Sequence, residues 1–129
     1  MSSISAAEIK KRFEEGQKSL SCYNLQGIDL SGWDLSSIDL SWADLASANL
    51  QDSILVNAKL DDAFLESANL RGANFTGAQL TETYLLNADL TNADFTNANL
   101  AGAKVEDEQL AAVKSLKGAR LPDGTLVPL

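Results

Sequence analysis

From Leu20 to Val105 a large apolar residue falls on every fifth position, leucine throughout except for Phe75, Phe95 and Val105. Two residues before each of these centres is a second apolar slot. From Ala43 to Ala103 that slot holds alanine, with Ser53 and Thr83 as small exceptions. Between the two slots a polar residue recurs: Asn24, Asp29, Asp34, Asp39, Asp44, Asn49, Asn69, Asn74, Asp89, Asp94 and Asn99. A helix turns about 100° per residue, so steps of five would wind the leucines around its surface and leave no buried face. A straight strand fails as well, because an odd period sends successive leucines to opposite sides. The pattern therefore predicts a short extended piece and a corner in every repeat. The small slot and the centre point inward, and the residue between them points outward.

The corners carry their own signal. Two residues after the centres stand Gly27, Gly32, Gly72, Gly77 and Gly102, together with Asp52, Asn57, Asp62, Asn87, Asn92 and Asn97. Such residues accept the positive φ at the third position of a type II turn. Ser37, Trp42, Ser47, Ser67 and Glu82 suit that turn poorly, which predicts that some corners use another type. No proline falls between Leu20 and Val105, so every backbone N–H there is free to pair with a neighbouring coil.

Segments such as ANLRGANFTGAQL and NADLTNADFTNANL resemble the A-[DN]-L-x-x repeat of the pentapeptide-repeat family, over roughly residues 18–105. The resemblance implies an all-β solenoid: a right-handed quadrilateral parallel β-helix of about four coils, with four repeats per coil and short α-helical caps at both ends. At roughly 4.8 Å between coils the rod would be roughly 20 Å long. One domain, 1–129, is expected, with an N-terminal helical cap at 1–17, the β-helix at 18–105, and a C-terminal helix and tail at 106–129. Ser5-Ala-Ala-Glu8 reads as a capping box, Ala6, Ile9 and Phe13 form one apolar stripe, and Gly16 suits the helix end. Lys18, Tyr23, Ile28, Trp33 and Ile38 stand where alanine is usual in the first repeats, and the larger side chains of the last four would fill the space under the cap. Downstream, EDEQLAAVKSLKG sets acids ahead of a short helix with Leu110 and Val113 on one side.

Composition narrows the function. The chain of 129 residues is 45% apolar and 22% charged, too apolar for a disordered acidic tail, and no apolar stretch approaches the roughly 20 residues of a membrane helix. The opening MSSISAAEIKKRF has no hydrophobic signal core, so a cytoplasmic address is expected. The resemblance implies a bacterial source, cyanobacteria especially. With no histidine and with Cys22 as the lone cysteine, a disulfide framework, the common zinc sites and a histidine triad are excluded. The glycines follow turn spacing, without a phosphate-binding fingerprint. Asp61 and Asp62 lack a third ligand or base, and Cys22 has no base near it in sequence. No enzyme, no cofactor and no metal are expected.

Residues 19–105 hold eleven acids against three bases, the whole net charge of −8, while the flanks balance at seven each. The family resemblance implies one use for such a charge, since some members bind type II topoisomerases as DNA mimics. Duplex DNA, however, carries about one charge per 1.7 Å in two continuous rows. Asp29, Asp34, Asp39 and Asp44 would fall one per face, a belt and not a row. A solvated acidic surface that keeps the rod soluble is the simpler reading, and it argues against direct contact with nucleic acid.

Exposed apolar side chains are the other signal. Phe64 and Tyr84 take the outward slot four repeats apart, Leu86 shares their face, and Trp42 stands at the adjoining corner. These four form a candidate protein-binding patch. The plainer alternative is an aromatic pair that only supports coil stacking. Ile54 and Val56, on the opposite face, are a weaker candidate. The sequence thus points to a noncatalytic rigid surface for an unidentified protein partner, monomeric because helical caps close both ends. An acidic DNA mimic that inhibits a type II topoisomerase is the rival.

Overall fold

The computed structural model describes residues 1–129 as a square tube of stacked coils. Outward residues pair in parallel with the residue 20 positions on, from Ser19 with Asp39 to Tyr84 with Lys104. Four columns follow. Face A carries Ser19, Asp39, Lys59, Gln79 and Asn99; face B carries Asn24, Asp44, Phe64, Tyr84 and Lys104. Face C carries Asp29, Asn49, Asn69 and Asp89; face D carries Asp34, Ile54, Asn74 and Asp94.

Each corner is closed by a bond from the N–H of the small slot to the carbonyl of the preceding centre, as Ala43 to Leu40 (3.0 Å) and Ala68 to Leu65 (3.1 Å). The residue between takes a left-handed φ at every corner. Asn57 (59°) and Gly77 (70°) do so, and so do Ser37 (60°), Trp42 (63°), Ser47 (59°), Ser67 (60°) and Glu82 (59°). The expectation that some corners depart from this conformation is corrected: all five of those last residues adopt it. One backbone N–H per corner donates to the coil above, as Trp42 to Asp61 O. A corner of another shape would break that bond and the stacking with it, so register overrides local preference.

The interior is apolar and layered. The centres from Leu20 to Leu100 and the alanines from Ala43 to Ala103 are buried in one continuous core. Phe75 and Phe95 stack with centroids 4.9 Å apart and planes 3° from parallel. The two buried hydroxyls are satisfied by carbonyls: Ser53 donates to Leu50 O and Thr83 to Leu60 O.

Both helices replace rungs of the coil. Helix α1 (Ala6–Glu14) lies between an extended segment at Ser3, which pairs beneath Asn24, and Ser19 on face A. Ser5 caps it by accepting the Glu8 N–H, and Ile9 is fully buried as the plug of the tube. Phe13 meets Trp33 edge-on at 6.5 Å, and Arg12 donates to the Tyr23 hydroxyl. Helix α2 (Asp107–Ala111) stands where the next rung of face C would come. The Gln109 side chain donates to Ala88 O, the position that the Asp89 N–H fills at Ala68 O one coil lower.

After α2 the ladder resumes beyond the expected boundary at Val105. Ser115 pairs with Asp94 and Arg120 with Asn99, each 21 residues on, so the detour adds one residue. Val127 then folds back antiparallel against Ala119 and Gly118, covering the last rung of face A.

Two stability changes test this packing. Phe75→Ala should cost about 3–5 kcal/mol, because the tightly stacked layer cannot collapse around the void. Gly72 has φ +66° and lies against the Asp52 carboxylate. Gly72→Ala should therefore cost about 1–2 kcal/mol. Chemical denaturation measures both.

Candidate functional site

The outward slot has a structural task. Its Asp or Asn side chain accepts the N–H of the second residue on, as Asp39 from Ser41 (3.0 Å), Asp44 from Ala46 (3.1 Å) and Asn69 from Arg71 (3.1 Å). This bond satisfies a corner N–H that neither the turn nor the neighbouring coil uses. Asp and Asn serve equally, so much of the acidity is a by-product of turn building. Asp29, Asp34, Asp39 and Asp44 stand on faces C, D, A and B in turn, one per face. No face carries a continuous acidic column.

Serine and threonine tighten the arrangement. The Ser31 hydroxyl and then its amide hold the Asp29 carboxyl below the usual range, and Ser36 does the same for Asp34. Thr91 lowers Asp89 in the same way, helped by Arg71 at 3.1 Å. Burial tends to raise Asp94, but the Thr96 hydroxyl and amide outweigh it and leave the carboxyl low.

Face B breaks the pattern. Phe64 and Tyr84 occupy the slot without any side-chain bond to the corner, and they stack with centroids 5.0 Å apart and planes at 8°. Lys104 continues the column, its Nζ 4.9 Å from the Tyr84 ring centre and 2.5 Å from Glu82 Oε2. Trp42 is 54% exposed at one margin of this face and Leu86 40% exposed at the other. Lys104 and Glu82 were absent from the residues expected here. Their signal was the coil spacing, since Lys104 follows Tyr84, and Glu82 follows Trp42 by two coils, in the same columns. Ile54, 39% exposed, stands on face D with Val56 after it.

No group of three or more His, Cys, Asp or Glu side chains is placed to hold a metal ion. Asp61 is engaged by the Thr81 amide and hydroxyl of the coil above, apart from Asp62. Cys22 is exposed at a corner. No helix is long and apolar enough to cross a membrane.

A stacked tube with one large and one mostly small inward slot in every repeat defines a class of protein, and sequence comparison agrees with it. The profile described as pentapeptide repeats (8 copies) matches residues 24–62, 55–85 and 73–107. The chain belongs to the pentapeptide-repeat family, and its fold is the right-handed quadrilateral β-helix.

Among solved structures it is similar to Rfr23, a pentapeptide repeat protein of the cyanobacterium Cyanothece 51142. That match has 27% identity and a TM-score of 0.63, and covers 94% of this chain and 98% of that one. It is also similar to HetL of the cyanobacterium Nostoc sp. strain PCC 7120, involved in heterocyst differentiation regulation, at 31% identity and a TM-score of 0.59. The match covers 78% of this chain but 44% of HetL. The fold likewise resembles QnrB1, a plasmid-mediated fluoroquinolone resistance protein, at 19% identity, a TM-score of 0.59, and coverage of 81% and 60%. No curated protein matches in sequence.

The lowered carboxyls set the acid response. Their contribution is complete above the ordinary carboxylate range and is lost as pH falls through the depressed folded values. The melting temperature should hold from pH 7 to about 5 and decline below about 4. Thr91→Val should raise the Asp89 pKa, as read by carboxyl NMR titration.

Proposed function

We propose that this chain is a noncatalytic scaffold that binds another protein through face B. One observation carries the reading: at Phe64 and Tyr84 the fold forgoes the side-chain acceptor that Asp or Asn offers the corner N–H at most equivalent positions, and it places apolar surface there instead. Trp42 adds a second cost. A bulky residue in the left-handed region is strained, and this one remains more than half exposed, so neither packing nor turn geometry accounts for it. Aromatic side chains clustered on a rigid face are the usual anchors of protein interfaces. The rigidity comes from the core behind them, which lets the patch bind without ordering itself first.

The rival reading, charge mimicry of DNA against a topoisomerase, draws support from the acidic net charge. The columns argue against it, because Ile54, Lys59, Phe64, Gln79 and Tyr84 interrupt them. The likeness to QnrB1 concerns the fold alone.

Phe64→Asn with Tyr84→Asn restores the common outward residue on both coils. The double variant should keep its melting temperature within a few degrees and lose the partner that the wild-type chain retains in affinity capture. Ile54→Asn on face D is the control. A partner kept by the double variant and lost by the control would reject face B. In a DNA supercoiling assay, excess protein should leave gyrase activity unchanged, and inhibition would favour the rival.

A further inference from the structure

The lower edge of the first coil is only partly covered. In the coils above, the N–H of each outward residue donates to the coil below, as Ile54 to Trp33 O and Asn74 to Ser53 O. Two carbonyls per rung accept from that lower coil, as Ile54 O from Leu35 and Val56 O from Ser37. Beneath face B the first coil finds such a partner in its own N-terminus: Asn24 donates to Ser2 O at 2.7 Å, and Ser3 pairs in parallel. Beneath faces C and D it finds none. The N–H groups of Asp29 and Asp34 and the carbonyls of Asp29, Ser31, Asp34 and Ser36 make no backbone hydrogen bond.

Helix α1 plugs the core with Ile9 but leaves a cleft of about 390 Å³ beside this edge, lined by Lys10, Phe13, Glu14, Trp33 and Asp34. The corners are open as well. A Cβ added at Gly27 or Gly32 would meet nothing within 4 Å, whereas Gly72 and Gly77 lie against side chains of the coil below.

We propose that this edge is a docking strip for an extended, basic segment of another protein, which adds as a parallel rung beneath Asp34 and seats an apolar side chain against Phe13 and Trp33. The free groups fit that occupant: the Asp34 N–H would meet an incoming carbonyl, and the Asp34 and Ser36 carbonyls would meet two incoming N–H groups. This is how added strands gain affinity, with a neighbouring pocket setting specificity. The Ser3 segment shows that the same edge takes an extended strand on the opposite face, beneath Asn24. Asp29 and Asp34 spend Oδ1 on Ser31 and Ser36, which leaves Oδ2 of each for lysine or arginine. A second copy fits poorly, since two such edges would bring the carboxylates of Asp29 and Asp34 together. The net charge of −8 also favours a basic partner.

Amide hydrogen exchange followed by NMR tests the site on the full chain. The probe is an acetylated, amidated peptide of alternating lysine and valine with one central phenylalanine. In the free protein, Asp29 and Asp34 should exchange at least about a thousandfold faster than Asn49 and Ile54, which are paired. Saturating probe should slow Asp34 by at least about tenfold and shift the Trp33 indole signal. An Asp34 amide already protected, or one the probe leaves unchanged, overturns the proposal. Equal protection by the glutamate-for-lysine peptide overturns the basic partner. Asp34→Pro removes the N–H without breaking any internal backbone–backbone bond and gives up only the side-chain bonds to Ser36, so it should lower the melting temperature by no more than a few degrees and abolish probe binding; retained binding overturns the site. If that variant does not fold, the wild-type amide readout decides.

Discussion

The structure depends on one constraint: every corner must return the chain above itself after the same number of residues. A left-handed φ at a single position per repeat accomplishes this, and it turns an odd sequence period into a constant inward direction. Once the corners agree, the centres stack as leucine on leucine, and N–H and C=O groups of successive coils fall into register. Each buried leucine contributes on the order of 1.5–3 kcal/mol, and with the alanine and the inter-coil hydrogen bonds of the same repeat this exceeds the roughly 1–2 kcal/mol strain of a non-glycine corner. That inequality explains why serine, glutamate and even tryptophan are tolerated at a position whose geometry suits glycine and asparagine.

The same constraint explains the chemistry of the surface. Each corner leaves one N–H outside both ladders, and where the outward residue is Asp or Asn its side chain supplies the acceptor. The acidity of the rod therefore has a cause inside the fold, and net charge alone is weak grounds for a DNA-like role. Departures from Asp and Asn are more informative than the acids themselves. Phe64 and Tyr84 depart together, in one column, with Lys104 above them and Asp44 below.

The ends of a solenoid pose a separate problem, because stacking leaves unpaired edges. Here the solutions are local substitutions of helix for rung. Helix α1 fills the tube mouth with Ile9, and α2 lends the Gln109 amide in place of a backbone donor. Antiparallel Val127 closes face A at the top. The first coil keeps an uncovered stretch on faces C and D, beside an aromatic cleft.

The repeat itself was legible in the residues: period five excludes a helix and a straight strand, and alanine beside leucine fixes which slots face inward. The Ser5 cap, the buried Ile9 and the stacking of Phe75 on Phe95 also follow from spacing, because each involves neighbours at a fixed sequence distance. Four outcomes needed the folded chain. Ser37, Trp42, Ser47, Ser67 and Glu82 take the common corner because pairing between coils outweighs their own preference. The ladder resumes at Ser115 because a one-residue detour through α2 still meets the rung below. Lys104 joins Tyr84 and Glu82, and Asp34 lacks a partner beneath it, because these depend on what lies one coil away and not on what lies next in sequence. Local pattern set the slots, since each repeat carries its own inward and outward residues. Contacts between coils decided occupancy at the corners, the columns and the ends, since no single repeat contains them.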